Sequence, residues 1–175
     1  MHIRQANNND YQAISILLQE AFKEETHSDH REHLLVQRLQ GSTAFIPELS
    51  LVAELNHQIV GYILLTRIRI VTPLAEGVSA LALAPVAVSP SHQRKGIGSR
   101  LINYAHETAR NLGFGSVVVL GHEDYYPRLG YKMAKDYNVS LPFDVPEKNC
   151  MILELQEDAL RGHSGQVIYP KEFMG

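Results

Sequence analysis

The stretch that decides the fold is Val86-Ala87-Val88-Ser89-Pro90-Ser91-His92-Gln93-Arg94-Lys95-Gly96-Ile97-Gly98, continued to Leu112. An apolar run from Leu81 to Val88 reads as a buried strand, Ser89-Pro90-Ser91 breaks it, and the glycines lead into an amphipathic helix from Ile97 to Leu112. A strand, a turn and a helix start in that order aim several backbone N–H groups at one spot. The helix dipole adds its positive end there, and Arg94 and Lys95 add whole charges. A phosphate group is the expected ligand. Pro85 lies inside the strand and removes a backbone donor, so the strand must be interrupted or bulged at that point, which frees backbone groups for a ligand.

Working outward, Ile97, Leu101, Ala105, Ala109 and Leu112 line one face of the predicted helix, while Arg100, Asn103, Glu107 and Arg110 lie elsewhere. Gly113 ends it. The β-branched run Ser116 to Leu120 reads as a buried strand parallel to the one before the turn, completing a βαβ unit. Upstream, Ile3 to Ala6 suits a short strand and Asp10 to Lys23 a helix with Ala13, Ile14, Leu17, Leu18 and Ala21 at helical spacing. A polar segment from Glu24 to His30 precedes a second helix edged by Leu34, Leu35 and Leu39 and stopped by Gly41. Leu51 to Leu55 and Ile59 to Ile70 form an antiparallel pair through Asn56-His57-Gln58, and Thr72 to Gly77 is expected to loop. Downstream, Tyr125 to Leu129 suits a short helix, with Pro127 tolerated only in its first turn. Tyr137 to Leu141, Met151 to Leu155 and Gln166 to Tyr169 are late strand candidates.

A chain of 175 residues fits one domain, residues 1–175, with a real core. Its net charge of −3 gives no general attraction for nucleic acid or an anionic membrane, so neither is expected as a partner. The basic pair Arg94-Lys95 lacks the clustered face a nucleic-acid site needs. Cys150 is the single cysteine, which excludes an internal disulfide and points to a reducing, cytoplasmic setting; it is read as a small hydrophobe. No apolar run reaches the roughly 18 residues of a membrane span, and Met1-His2-Ile3-Arg4 does not begin a signal peptide. His27, His30 and His33 recur every three residues, but without the geometry and the Cys or carboxylate partner a zinc site uses; no metal is expected.

Which phosphate ligand suits the turn follows by elimination. A P-loop places lysine after its second glycine, whereas Lys95 precedes Gly96. A dinucleotide fingerprint needs a small residue where Leu101 stands. The remaining reading is a resemblance. Gln93-Arg94-Lys95-Gly96-Ile97-Gly98 resembles the Gln/Arg-x-x-Gly-x-Gly/Ala motif of the GNAT superfamily of acetyl-CoA-dependent N-acetyltransferases. Leu83-Ala84-Pro85-Val86-Ala87-Val88-Ser89-Pro90 is similar to the strand before that motif, and Tyr126-Pro127-Arg128-Leu129-Gly130-Tyr131 to the later Tyr-x-x-x-Gly-Phe/Tyr signature. Leu120 to Tyr126 and Gly165 to Pro170 resemble a branch of small bacterial acetyltransferases with a paired tyrosine.

The resemblance implies an α/β fold: a mixed, twisted sheet, flanked by helices, whose central parallel strands, about Leu81 to Val88 and Ser116 to Leu120, splay apart at one end. Acetyl-CoA would lie in the opening as cosubstrate. Its pantetheine arm would pair with Val86, Ala87 and Val88, and its pyrophosphate would rest in the turn from Gln93, on the amides of Arg94, Lys95, Gly96, Ile97, Gly98 and Ser99. A Cβ at Gly96 or Gly98 would hold the phosphates off those amides. Tyr126 stands at the family's general-acid position; Tyr125 is read as a core aromatic whose hydroxyl merely caps something, since its neighbour fills the role. The base is left among Glu54, Glu76, His122, Glu123 and water. His122 replaces the aspartate that this branch often carries after Gly121, and no asparagine follows the strand as in many members. The implied reaction is acetyl transfer to an amine, on a small molecule or a protein, by a monomer or homodimer. A coenzyme sensor with little transfer activity is the alternative.

Overall fold

A computed structural model describes all of residues 1–175. Nine strands form one mixed sheet: β1 (His2–Gln5), β2 (Ser50–Leu55), β3 (Gln58–Thr72), β4 (Ala75–Val88), β5 (Ser116–Leu120), β6 (Lys132–Met133), β7 (Val139–Ser140), β8 (Cys150–Glu154) and β9 (Gly165–Ile168). The spatial order is β1-β2-β3-β4-β5-β8-β6, with β9 added to the far end of β3 and β7 to β9. Three helices, α1 (Tyr11–Phe22), α2 (Glu32–Gln40) and α3 (Ile97–Asn111), flank it.

The long β3–β4 hairpin dominates the sheet. Asn56 and His57 both adopt positive φ between β2 and β3, the backbone that a two-residue hairpin turn requires. At the other end of β3 the expected loop over Thr72 to Gly77 is much shorter: Thr72 still faces Ala75, and Pro73-Leu74 alone make the turn. Pairing outlasts the local loop composition because Arg69 to Val71 also bond to β9, which holds this end of β3 in the sheet. Pro85 produces the expected bulge. Ile63 faces Val86 and Leu65 faces Leu83, so Leu64 alone is set against Ala84 and Pro85.

β4 and β5 are parallel with α3 between them, as the βαβ reading requires. A cluster of 20 buried residues packs α3, through Ile97, Leu101, Ile102, Ala105 and Ala109, onto Leu81, Leu83, Val117 and Val119. On the opposite face α1 and α2 cover Val52, Tyr62, Leu64 and Ala87. The N-terminal side of α1 is tied by charge: Arg4 reaches Asp10 at 2.7 Å and Glu54 at 2.9 Å. A third cluster, around Ile68, Val118 and Val167, receives Tyr169 and Phe173 from the C-terminal segment.

Two late elements differ from expectation. The strand proposed over Tyr137 to Leu141 shrinks to β7, because Ala134–Tyr137 coil into a 3₁₀ turn closed by Asn138 in the left-handed region. β6 has only two residues and carries no periodicity to read. Cys150, expected to be buried, is half-exposed at the start of β8, and desolvation still raises its thiol above the usual range.

Candidate active site

The sheet has a gap. β4 and β5 pair only at Leu81 with Val117 and Ala82 with Val118. Beyond that point β4 follows β3, with Val86, Ala87 and Val88 facing Ile63, Tyr62 and Gly61, while β5 follows β8, with Val119 and Leu120 facing Met151 and Cys150. Parity shows which backbone groups line the opening. Ser89 N–H donates to Val60 O of β3, and Gln93 Nε2–H donates to Val88 O from the other side. Alternation along the strand then turns the polar groups of Val88 and Val86 into the gap and those of Ala87 towards β3.

The turn from Gln93 to Gly98 closes one end of this gap. Gly96 caps α3 at φ 79°, and the first intrahelical donor is Arg100 N–H, to Gly96 O. The amides of Ile97, Gly98 and Ser99 therefore point out of the helix end without intrahelical partners. The two glycines serve different ends than expected from a shared role. Gly96 is needed for its left-handed backbone, since a Cβ there would meet nothing within 4 Å. Gly98 is needed for space: its Cβ would lie 3.1 Å from the Tyr125 hydroxyl and 3.7 Å from Val88 Cγ2. Arg94 and Lys95 are exposed, Arg94 at φ 61°, and Lys95 Nζ donates to Ser91 O at 3.1 Å.

Across the gap, Tyr126 opens a 3₁₀ turn, Tyr126–Leu129, in which Pro127 occupies the tolerated first turn. Its ring lies directly on Gly121, where any Cβ would collide with it. Tyr125 and Tyr131 meet the ring edge-on, at centroid distances of 5.1 and 5.4 Å. Tyr126 is 7% exposed, and its hydroxyl makes no hydrogen bond within the protein. Burial, reinforced by Tyr125, pushes it well above the ordinary phenol range, so it keeps its proton at neutral pH. Tyr131 Oη in turn shares a 2.8 Å hydrogen bond with His106 Nε2 of α3, an imidazole that burial and then the Arg110 charge push down to about 4.

The four side chains considered as a base separate clearly. Glu76 sits on the exposed hairpin, ten residues along β4 from Val86, which at about 3.3 Å per residue is roughly 33 Å away, on the far side of the part of β4 that pairs with β5. Glu54 is held by Arg4. Glu123 is paired with Lys148 at 2.9 Å. His122 directly follows Gly121 at the mouth, is 71% exposed, and has Nε2 3.8 Å from Glu25 Oε2. Glu25 comes from the connection between α1 and α2, so that connection overhangs the opening. His30, in the same connection, holds Phe22 O through Nδ1 at 2.8 Å, while His33 lies on α2 in a groove with Tyr11 and Ser15. No three His, Cys, Asp or Glu side chains gather as metal ligands.

Three contacts were not legible in the residues: Tyr125 Oη to Ser99 Oγ at 3.2 Å, Tyr131 to His106, and Glu25 to His122. The first shows what the Tyr125 hydroxyl meets, a side chain in the first turn of α3. The tyrosine pair was the visible signal; what it reaches depends on the tertiary approach of α3.

Parted parallel strands beside a helix-capping glycine turn define an α/β architecture with an opening for an anionic ligand. Residues 11–131 match the acetyltransferase (GNAT) family, and the chain belongs to that family of N-acetyltransferases. It is 37% identical over 139 residues to the uncharacterized N-acetyltransferase YjhQ of Escherichia coli K12, covering 76% of each chain. The crystal structure of the Escherichia coli GNAT family N-acetyltransferase YhbS in complex with CoA superposes with a TM-score of 0.89 at 25% identity, over 99% of this chain and 92% of that one. A Brucella melitensis GNAT family acetyltransferase in complex with acetyl-CoA gives 0.80 at 28% identity, over 98% and 97%. No helix of this chain is long and apolar enough to cross a membrane.

Proposed function

We propose that residues 1–175 act as one domain that moves an acetyl group from acetyl-CoA to a primary amine, with Tyr126 as general acid. The observation that carries this reading is the meeting, in one gap, of outward-facing strand groups at Val86 and Val88, the α3 amides, and the hydroxyl of a buried tyrosine that has no protein partner. The CoA and acetyl-CoA complexes of the two similar structures support the choice of coenzyme. Val86, Ala87 and Val88 would receive the pantetheine arm, and the turn from Gln93 through Arg94, Lys95, Gly96, Ile97, Gly98 and Ser99 the diphosphate. The lack of a Cβ at Gly98 supports that fit, because a methyl there would stand between the amides and the Tyr125 hydroxyl.

When bound, the thioester supplies the acetyl group: the amine nitrogen bonds to its carbonyl carbon, the C–S bond breaks, and CoA leaves as a thiol. The protein's part is to manage charge and protons. An alkylammonium, with an ordinary pKa of about 10.4, must first lose a proton to become a nucleophile. His122, braced by Glu25 at the mouth, accepts that proton directly or through a water. A backbone N–H of the Val86 to Val88 edge steadies the developing oxyanion. Tyr126 gives its proton, first as a hydrogen bond, to the departing sulfur, and is reprotonated through solvent by the second proton that the newly bonded nitrogen sheds. Because burial holds Tyr126 firmly protonated, it is available as a donor across the neutral range.

The acceptor is a small-molecule or protein amine, and we place the enzyme in the cytoplasm on its single, free cysteine. Thiol release from acetyl-CoA across a panel of amines, with melting curves taken with and without CoA, tests the reading. Coenzyme-dependent stabilisation together with turnover of at least one amine is expected. No stabilisation at saturating CoA would overturn the coenzyme assignment, and stabilisation without turnover of any amine would make the chain a sensor.

A further inference from the structure

Two hydroxyls bridge the gap at the start of α3. Ser99 is the third residue of that helix, and its Oγ lies 3.2 Å from Tyr125 Oη, which reaches over from the loop after β5. Neither hydroxyl has another partner within the protein. Together they carry two O–H donors, and their mutual bond uses one. The second is left to donate beside the amides of Gly98 and Ser99, because the Tyr125 oxygen sits 3.1 Å from the point where a Gly98 Cβ would be. The tyrosine is held ready: its half-buried ring stands edge-on to Tyr126, with an interplanar angle of 84°. Tyr126 is itself more than nine-tenths buried, and its hydroxyl has no protein partner and is not sealed off, so a ligand can reach it beside Tyr125.

We propose that Tyr125, paired with Ser99, is a coenzyme-binding residue that donates a hydrogen bond to the diphosphate from the β5 side of the gap, closing a cradle whose other wall is the α3 amides. The inference rests on the coenzyme reading above and deepens it. Backbone amides hold the anion from one lip only; Tyr125 ties the second lip to the same group. It is a binding residue rather than a second acid, since its hydroxyl is committed to the helix end and not to the buried path past Tyr126.

Calorimetric titration of the full chain separates the possibilities. Wild type, Y125F and S99A are titrated with CoA and, by displacement, with pantetheine, which keeps the thiol arm and lacks the diphosphate. Loss of one charge-assisted hydrogen bond should raise the CoA dissociation constant of Y125F about tenfold and leave that of pantetheine within about twofold. S99A should shift in the same direction, and it carries the test if Y125F melts early. An equal loss for both ligands would assign Tyr125 to packing and overturn the inference, as would unchanged CoA affinity in both variants. Failure of the wild type to bind CoA would instead overturn the coenzyme reading itself.

Discussion

On the side of the gap facing α3, the proposed ligand contacts come from one unbroken run, Val86 to Ser99, and are mostly backbone groups fixed by strand parity and a helix cap. On the side facing the α1–α2 connection, the proposed base is a side chain met across a long sequence distance, His122 with Glu25 against it. The supports differ as well. The coenzyme half rests on apolar packing of α3 with one buried imidazole inside it, whereas the N-terminal side of α1 is anchored by Arg4 between Asp10 and Glu54. A backbone-built site tolerates wide change in surrounding side chains, and a side-chain-built site can be retuned for a new acceptor without disturbing the coenzyme.

The largest effect expected is on turnover. Y126F should lower kcat by about 10²- to 10⁴-fold, the usual contribution of a positioned acid, while CoA affinity stays within about twofold. Steady-state kinetics with calorimetry decides this; full activity in Y126F would remove the acid from the coenzyme half.

Acid should then tell the halves apart. His106 is held at about 4 in the fold against an ordinary 6.5, so on acidification the unfolded chain takes up a proton that the native state refuses. Its contribution is complete above about pH 6.5 and drains as pH falls towards 4, an order-of-magnitude loss of about 3 kcal/mol. The Asp10 carboxyl, held below the usual range chiefly by Arg4, loses its contribution only as pH falls below 3.8 and through its lowered folded value. Urea denaturation across pH 4–7 should therefore show the loss in wild type and a flatter profile in H106Q. Hydrogen exchange at pH 5 should open α3 before α1, and the reverse order would break the comparison.

A smaller effect is expected from G98V. Crowding the Tyr125 hydroxyl and Val88 should raise the CoA dissociation constant about tenfold, with the acceptor KM unchanged. Smaller still, E25Q should raise the acceptor KM by about three- to tenfold through loss of one charged contact, with coenzyme binding untouched. E76Q, on the remote hairpin, should change neither. A coenzyme defect in E25Q would blur the boundary between the two halves.

The same contrast explains how much could be read from the residues. Gln93 to Gly98 stands out because the proposed phosphate cradle of amides needs glycines at fixed offsets, and Pro85 announces a bulge because it lacks a donor. Glu76 ends far from the opening because hairpin length is set by pairing, including β9 on β3, which local composition between Thr72 and Gly77 does not encode. His106 hid in a helix whose apolar spacing was clear, since its partner Tyr131 lies 25 residues away. Glu25 and His122 looked like surface charges, which singly they are.

The bulge at Ala84 and Pro85 sets the sidedness of everything after it. Leu81 and Leu83 face α3, and so do Val86 and Val88, although an unbroken alternation would have sent those two to the opposite side of the sheet and brought Ala87 over to α3. One inserted residue thus acts as a half-turn in the strand. Straighten the bulge with every residue kept, and the valines would press into the α1 face, the small side chain of Ala87 would leave a hollow under α3, and the polar groups offered to the gap would exchange with those bonded to β3. The reading frame of the proposed coenzyme edge is written at a residue that need never touch the coenzyme.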